Sequence, residues 1–332
     1  MRNTYINYLL FLAFFLFIPT IYHAQEGNPD RLKGEIQRLE KLSGGRVGVG
    51  IIHLESGKEF FYNKDVIFPM ASTYKIPVAV KMLQLVEAGE LRLDSMVTIG
   101  EKDIHPGSGT ISRLLNDPGL AISALNLMEL MMLISDNSAT DLCMKLAEGP
   151  DVINEMLRKY GIKDLSVDRP TVALIANYLG IDLMADEEMS MDEMMKKLED
   201  IDEKEQEAAM AKFSEDPRDQ SSPYAMAKLL EKLWDGEMLN KENTELLLDI
   251  MLRCETGENR LKGVLPPGTA LAHKTGTIGG TTNDVGIIYL PEEAGHVVVV
   301  VFVKDSEKEI PQREKSIAHI ARAAYDYFLF HP

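Results

Sequence analysis

Strand-forming sequence lies at the two ends of this chain, with a long helical stretch between them. Residues 46–54 (RVGVGIIHL) and 59–62 read as strands joined by the turn Glu55-Ser56-Gly57-Lys58. Residues 270–275, 284–290 and 296–304 are again β-rich and separated by turn residues. Over residues 70–263 the apolar spacing is helical instead, at 73–88, 124–134, 139–146, 151–160, 223–234 and 244–254. Amphipathic helical patterns also cover 30–42 and 311–328. Short turns between successive strands predict antiparallel order. The economical way to bury all these faces is an α/β (α+β) domain, with one antiparallel sheet built from both chain ends and flanked by helices. An all-helical lobe is then inserted. The α/β part is expected at about 25–69 and 264–332, and the helical lobe at about 70–263.

The N-terminus reads as a targeting segment. Arg2 precedes an almost wholly apolar stretch at residues 8–21. That is short for a transmembrane helix, which needs about 20 residues. It fits a signal peptide over residues 1–24, cleaved after Ala24, and predicts an exported protein, periplasmic or secreted. The catalytic domain is then 25–332. A net charge of −17 repels nucleic acid and anionic lipid, so neither nucleic acid nor a stable membrane partner is expected. The two cysteines, Cys143 and Cys254, lie in helical, apolar stretches, and a bridge and two buried thiols both remain open. No Cys/His cluster or H-E-x-x-H is present, so no metal and no cofactor is expected. Residues 186–212, rich in charge and Met, suit one long amphipathic helix with a solvated charged face.

Three short motifs carry chemistry. Ser72-Thr73-Tyr74-Lys75 opens a helix, where residues three apart share a face, so Lys75 is expected to approach the Ser72 hydroxyl. A serine hydroxyl needs a base, and an enclosed lysine with a lowered pKa can serve. Ser135-Asp136-Asn137 follows an apolar helix. Ser135 can relay a proton to a leaving amine, Asn137 can bond a substrate carbonyl, and Asp136 can brace the loop. Lys274-Thr275-Gly276 ends a strand. Lys274 and Thr275 suit a substrate carboxylate, Gly276 permits close backbone approach, and the N–H of Thr277 can join that of Ser72 at an oxyanion. Each motif alone is weak; the ordered set is specific.

The set, with its flanks FPMASTYKIPVAV, MMLISDNSATDL and HKTGTIGGTTNDVGIIYL, resembles the class A β-lactamase family from about residue 30 to the C-terminus. The resemblance implies Ser72 as acylated nucleophile, Lys75 as proton acceptor and Ser135 as proton relay. Asn137, Lys274, Thr275, Gly276 and Thr277 become the substrate-binding set. It implies a small β-lactam or related acyl substrate and a monomer. Asp168-Arg169 resembles the start of the family's omega loop, with Arg169 expected to pair structurally with Asp219 across the loop's neck.

The match departs at the cysteine pairing common in the family, since Ala79 stands seven residues after Ser72, and above all in the omega loop. The family pattern R-x-E-x-x-L-N would put a hydrolytic glutamate two residues after Arg169, where Thr171 stands; Leu174 fits, and Ile175 replaces the Asn. Acylation is expected to be intact and deacylation to lack its usual base. The leading expectation is a serine hydrolase that opens a β-lactam through an acyl-enzyme on Ser72. The alternatives are a D-alanyl peptidase or esterase on the same fold, or a penicillin-binding sensor that stays acylated. Acidic residues of the longer loop, such as Glu187, Glu188 and Asp192, would have to fold back to replace the glutamate.

Overall fold

The computed structural model describes residues 28–331 other than Pro118 and Asp186. The expected signal segment therefore lies outside the described residues. Helix α1 (Pro29–Ser43) starts where the Asn28 side chain accepts the Asp30 N–H and ends at left-handed Gly44. Strands β1 (Arg46–His53) and β2 (Glu59–Tyr62) follow as a hairpin. The chain then runs through β3 (Phe68–Pro69), a 3-10 turn at Ala71–Tyr74, α2 (Lys75–Glu87), β4 (Met96–Thr98), α3 (Ile111–Leu114) and β5 (Ala121–Ser123). Helices α4 (Ala124–Leu133), α5 (Asn137–Leu146), α6 (Pro150–Lys159), α7 (Thr171–Tyr178), α8 (Met191–Glu199) and α9 (Glu203–Lys212) come next. After β6 (Gln220–Ser221), α10 (Pro223–Trp234) and α11 (Lys241–Leu252), the chain returns to strands β7 (Leu271–Ile278), β8 (Thr281–Tyr289) and β9 (His296–Lys304), and closes with α12 (Ile310–Phe330).

The main sheet has the order β2-β1-β9-β8-β7, antiparallel throughout. The first strand therefore pairs with the last, from Arg46 opposite Lys304 to His53 opposite Val297. Successive strand side chains face opposite sides, and β9 divides accordingly. Val297, Val299, Val301 and Val303 pack with Leu32, Ile36 and Leu39 of α1 and Ile317, Ile320 and Phe328 of α12. Val298, Val300 and Phe302 face the other core, with Leu83, Met128, Met226 and Leu230 from the helices between the strands. Each such buried side chain contributes about 1.5–3 kcal/mol relative to exposure. The mixed fold and the antiparallel sheet built from both chain ends are as expected from the sequence.

One expectation is corrected. The segment 186–212 is not a single helix: α8 and α9 are separate. Ser190 and Glu193 form a reciprocal capping box that starts α8, and the Asp202 side chain accepts the Lys204 N–H to start α9. Two N-caps override one continuous apolar stripe. Helix α7, in the stretch read as a loop, was also missed. It packs Val172, Ala173 and Ala176 with Ile181, Leu183, Met189 and Met194 in a separate small core.

Candidate active site

Ser72 lies in the 3-10 turn that leads into α2, and three contacts hold that turn. Short strands β3 and β6 pair Phe68 with Ser221 and Pro69 with Gln220, and Met70 N–H then donates to Asp219 O at 3.0 Å. From β8, Asn283 Nδ2 donates to Pro69 O (2.8 Å) and Met70 O (3.0 Å). From β7, Gly276 lies so close that a Cβ there would sit 2.5 Å from Met70 O and 3.0 Å from Ser72 N. Only glycine lets the strand approach the nucleophile's amide this closely. Ala71 takes φ +46, a left-handed conformation that costs a non-glycine residue about 1–3 kcal/mol and is held by these contacts.

Lys75, on the first turn of α2, is fully buried. Its Nζ donates to Ser135 O (2.8 Å), Ser135 Oγ (3.0 Å) and Asn137 Oδ1 (3.3 Å). Among the described residues no hydrogen bond joins it to the Ser72 hydroxyl; its partners lie in the Ser135 turn. Burial first, and the neighbouring Lys274 charge second, push the Lys75 pKa well below that of an ordinary lysine. The amine is thereby set to accept a proton.

Ser135 is also left-handed, at φ +61, between α4 and α5. Asp136 braces this turn: its carboxylate accepts from Thr110 N (2.6 Å), Ile111 N (2.9 Å) and, as the N-cap of α5, Ala139 N (2.9 Å). Asn137 Nδ2 donates to Pro106 O at 2.8 Å. From β7, Lys274 Nζ reaches Ser135 Oγ at 3.0 Å and Thr275 O at 3.2 Å. Burial lowers the Lys274 pKa to about 8. Thr275 Oγ1 lies 2.6 Å from Thr256 Oγ1, and exposed Thr277 accepts from Arg260 Nη2 at 2.7 Å.

Ser72, Ser135, Asn137, Thr275, Gly276 and Thr277 all line one cleft of about 480 Å³. Lys75 and Lys274 are buried and reach the cleft through Ser135, whose Oγ both contact. Helix α7 is one wall, through Thr171, Leu174, Ile175, Tyr178 and Leu179. Thr171 is pinned: its N–H and that of Val172 donate to the two Asp141 oxygens at 2.6 and 2.9 Å, and its Oγ1 lies 2.6 Å from Tyr74 OH. A carboxylate at a helix N-terminus satisfies orphan N–H groups and the helix dipole together. None of the described residues lining the cleft is acidic. Glu188 is instead 3.4 Å from Lys145 and 3.5 Å from Lys102, and Glu187 accepts the Met184 N–H.

Arg169 and Asp219 are buried and paired, Nε to Oδ2 at 2.6 Å, and Arg169 Nη1 adds Asp216 (3.0 Å) and Asn177 (2.6 Å). Asp168 N donates to Asp219 Oδ1, and Asp219 N to Asp168 Oδ2. These reciprocal bonds close the neck of the segment that carries α7, α8 and α9.

Sequence reasoning missed three contributors. Asn283 pins the residues leading into the nucleophile's turn. Arg260 lines the cleft and braces Gly276 O, Asn283 O and Thr277, with Glu314 at 3.0 Å from its Nε. Both are long-range contacts without a local pattern; the TTND run after Gly280 was the only available hint. The third is Cys254. Both cysteines are free, Cys143 buried and Cys254 partly exposed, and Cys254 Sγ lies 3.3 Å from Thr256 Oγ1, the partner of Thr275.

A family profile described as "Beta-lactamase enzyme family" matches residues 31–328. Among curated relatives, β-lactamase VEB-1 of Pseudomonas aeruginosa is 28% identical, covering 97% of each chain. The solved structure of an ancestral class A β-lactamase superposes with a TM-score of 0.72 at 29% identity, covering 89% of this chain and 99% of its own. A variant of PBP-A, solved as an acyl-enzyme complex with penicillin G, gives a TM-score of 0.69 at 25% identity, covering 90% of this chain and 97% of its own. With the family profile covering nearly all the described residues, and the sheet and helices superposing on class A structures, this chain belongs to the β-lactamase enzyme family.

Proposed function

We propose that the protein is an exported, monomeric serine hydrolase that opens β-lactam rings through an ester on Ser72. The shared hydroxyl of Ser135, 3.0 Å from both Lys75 and Lys274, is the observation that carries this reading. With Lys75 neutral and Lys274 charged, Ser135 accepts from Lys274 and donates to Lys75. Ser72 Oγ attacks the lactam carbonyl and its proton passes to Lys75. The carbonyl oxygen gains charge beside the N–H groups of Ser72 and Thr277. The C–N bond then breaks, and Ser135 hands the ring nitrogen a proton while taking one back from Lys75. Lys274 and Thr275 hold the substrate carboxylate, and Asn137 its amide side chain.

Water must then cleave the ester. The cleft wall offers Thr171 and no carboxylate for this, so neutral Lys75, or Ser135 through it, takes the water's proton. This makes deacylation the slow step. A persistent acyl-enzyme is the second reading, favoured by that same cleft lining and by the likeness to a PBP-A variant solved as a penicillin G acyl-enzyme.

Mixing the protein with a chromogenic cephalosporin, while following colour and intact mass together, tests this. The hydrolase reading predicts a burst of one equivalent followed by steady turnover. A burst with no turnover supports the second reading. Neither burst nor adduct contradicts both.

A further inference from the structure

A second cavity, of about 220 Å³, adjoins the first turn of α7, and the reaction on Ser72 does not use it. Thr171 lines the cleft, while Pro170 and Val172 line the cavity, so one turn of helix is shared by both. Met144 of α5, Pro150 at the start of α6 and Met189 ahead of α8 add to an apolar lining.

One polar group of that lining is left unanswered. His105 is buried, with Nε2 3.3 Å from Asp141 Oδ2. A carboxylate there keeps the ring hydrogen on Nε2, so Nδ1 of the neutral ring is an acceptor. Among the described residues this buried Nδ1 has no hydrogen-bond partner, whereas buried polar atoms normally have one. The charges of the lining, by contrast, are answered. Glu188 lies 3.4 Å from Lys145 and 3.5 Å from Lys102, Glu187 accepts the Met184 N–H, and Asp141 accepts the Thr171 and Val172 N–H groups.

We propose that this cavity binds a neutral single-ring aromatic of the phenol class, its O–H or N–H donor on His105 Nδ1, and that occupation steadies the first turn of α7, the wall of the Ser72 cleft. This goes beyond β-lactam hydrolysis, and neither part depends on it.

Size, lining and charge select that class together. A cavity of roughly 150 Å³ already holds benzene, so this one has room for a substituted ring. The thioethers of Met144 and Met189 adapt their shape and make favourable contacts with aromatic rings. A charged ligand would break ion pairs that are already made, whereas a hydroxyl satisfies the open Nδ1. Filling the cavity bears on the cleft because Val172 and Asp141 both line it. The Asp141 oxygens hold the two N–H groups of that turn, at 2.6 Å from Thr171 and 2.9 Å from Val172. A ring packed on Val172 loses its contacts when the turn opens, so binding opposes opening.

The test titrates the full chain, carrying ¹³C-methyl methionine, with phenol and separately with toluene, a ring of the same size without a donor. Phenol is expected to shift the methyl signals of Met144 and Met189 saturably; Met144→Leu and Met189→Leu assign them. Phenol should bind at least as tightly as toluene, although toluene leaves water more readily. His105→Leu should weaken phenol roughly ten-fold, the upper worth of a neutral hydrogen bond, and leave toluene within about two-fold. Should that variant fail to fold, the wild-type preference between the two rings decides the point. Phenol at about ten times its Kd should slow hydrogen exchange of the Thr171 and Val172 amides roughly ten-fold. No saturable shift, or shifts confined to other methionines, overturns the site. Toluene binding more tightly than phenol, or a ratio unmoved by His105→Leu, overturns the contact with Nδ1. Unchanged exchange at Thr171 and Val172 with the cavity filled overturns the coupling.

Discussion

Lys75 and Lys274 converge on a single oxygen: each Nζ lies 3.0 Å from Ser135 Oγ. Two buried amines this close cannot both stay charged at little cost, and burial lowers the pKa of each. Lys75 also feels the Lys274 charge and is the one driven well below the ordinary range. The pair therefore divides into a proton acceptor and a retained cation, with Ser135 between them. Ser135→Ala removes the relay and leaves both lysines in place. The acylation rate measured by stopped flow should fall about 10²–10⁴-fold, the usual worth of a positioned proton-transfer group. A change under about three-fold would remove Ser135 from the proton path.

The pH profile should show the same division. Lys274 is charged below about 8 and loses that charge as pH rises through it. The kcat/KM for a carboxylate-bearing β-lactam is expected to fall on the alkaline side near pH 8, chiefly through KM. The acid limb belongs to Lys75, which stops accepting protons once protonated. Lys274→Arg keeps its cation at all working pH, so it should move the alkaline limb upward even at a reduced rate. An unmoved limb would assign it to another group.

Thr171→Glu places a carboxylate on the cleft wall, at the first turn of α7. Deacylation, measured as decay of the adduct mass, is expected to quicken at least roughly ten-fold, the low end of general-base catalysis being about 10². The substitution also loses the Thr171–Tyr74 bond and sets a second acid near Asp141. A stability loss of about 1–2 kcal/mol should accompany the gain. Unchanged decay would mean that the base for water lies elsewhere.

Arg169→Ala leaves Asp219 and part of Asp216 without their buried partner. Removing one member of a buried ion pair costs about 3–5 kcal/mol. Chemical denaturation should register a loss of that order. Because Met70 N–H rests on Asp219 O, acylation of Ser72 should slow as well. A loss below about 1 kcal/mol would show the neck to be held by its other hydrogen bonds alone.

What was legible in the sequence was whatever local pattern or short motifs encode. The runs at 46–54 and 296–304 read as strands, and their pairing follows from the need to cover two apolar faces. The Ser72, Ser135 and Lys274 motifs were each readable, and Gly276 was readable as a close approach. The lysine chemistry was only partly so. Lys75 was expected at Ser72 from helical spacing, yet its nearest oxygens belong to a turn 60 residues away in the chain. Helix α7 hid because its apolar run answers to Asp141 and to a small core of its own, not to a cap within its sequence. The continuous helix expected at 186–212 failed where Ser190 and Asp202 each cap a new start. His273 and Cys254 looked ordinary because neither carries a motif; only the fold sets His273 beside Asp284 and Cys254 beside Thr256.

The most direct test of Ser72 as nucleophile is the location of the acyl group. The protein is mixed with benzylpenicillin, quenched in acid within the burst, digested and mapped by mass. The added mass of one whole penicillin is expected on the peptide that contains Ser72, and Ser72→Ala should carry none while keeping its fold by circular dichroism. Penicillin mass on another residue, or unimpaired turnover by Ser72→Ala, would contradict the account.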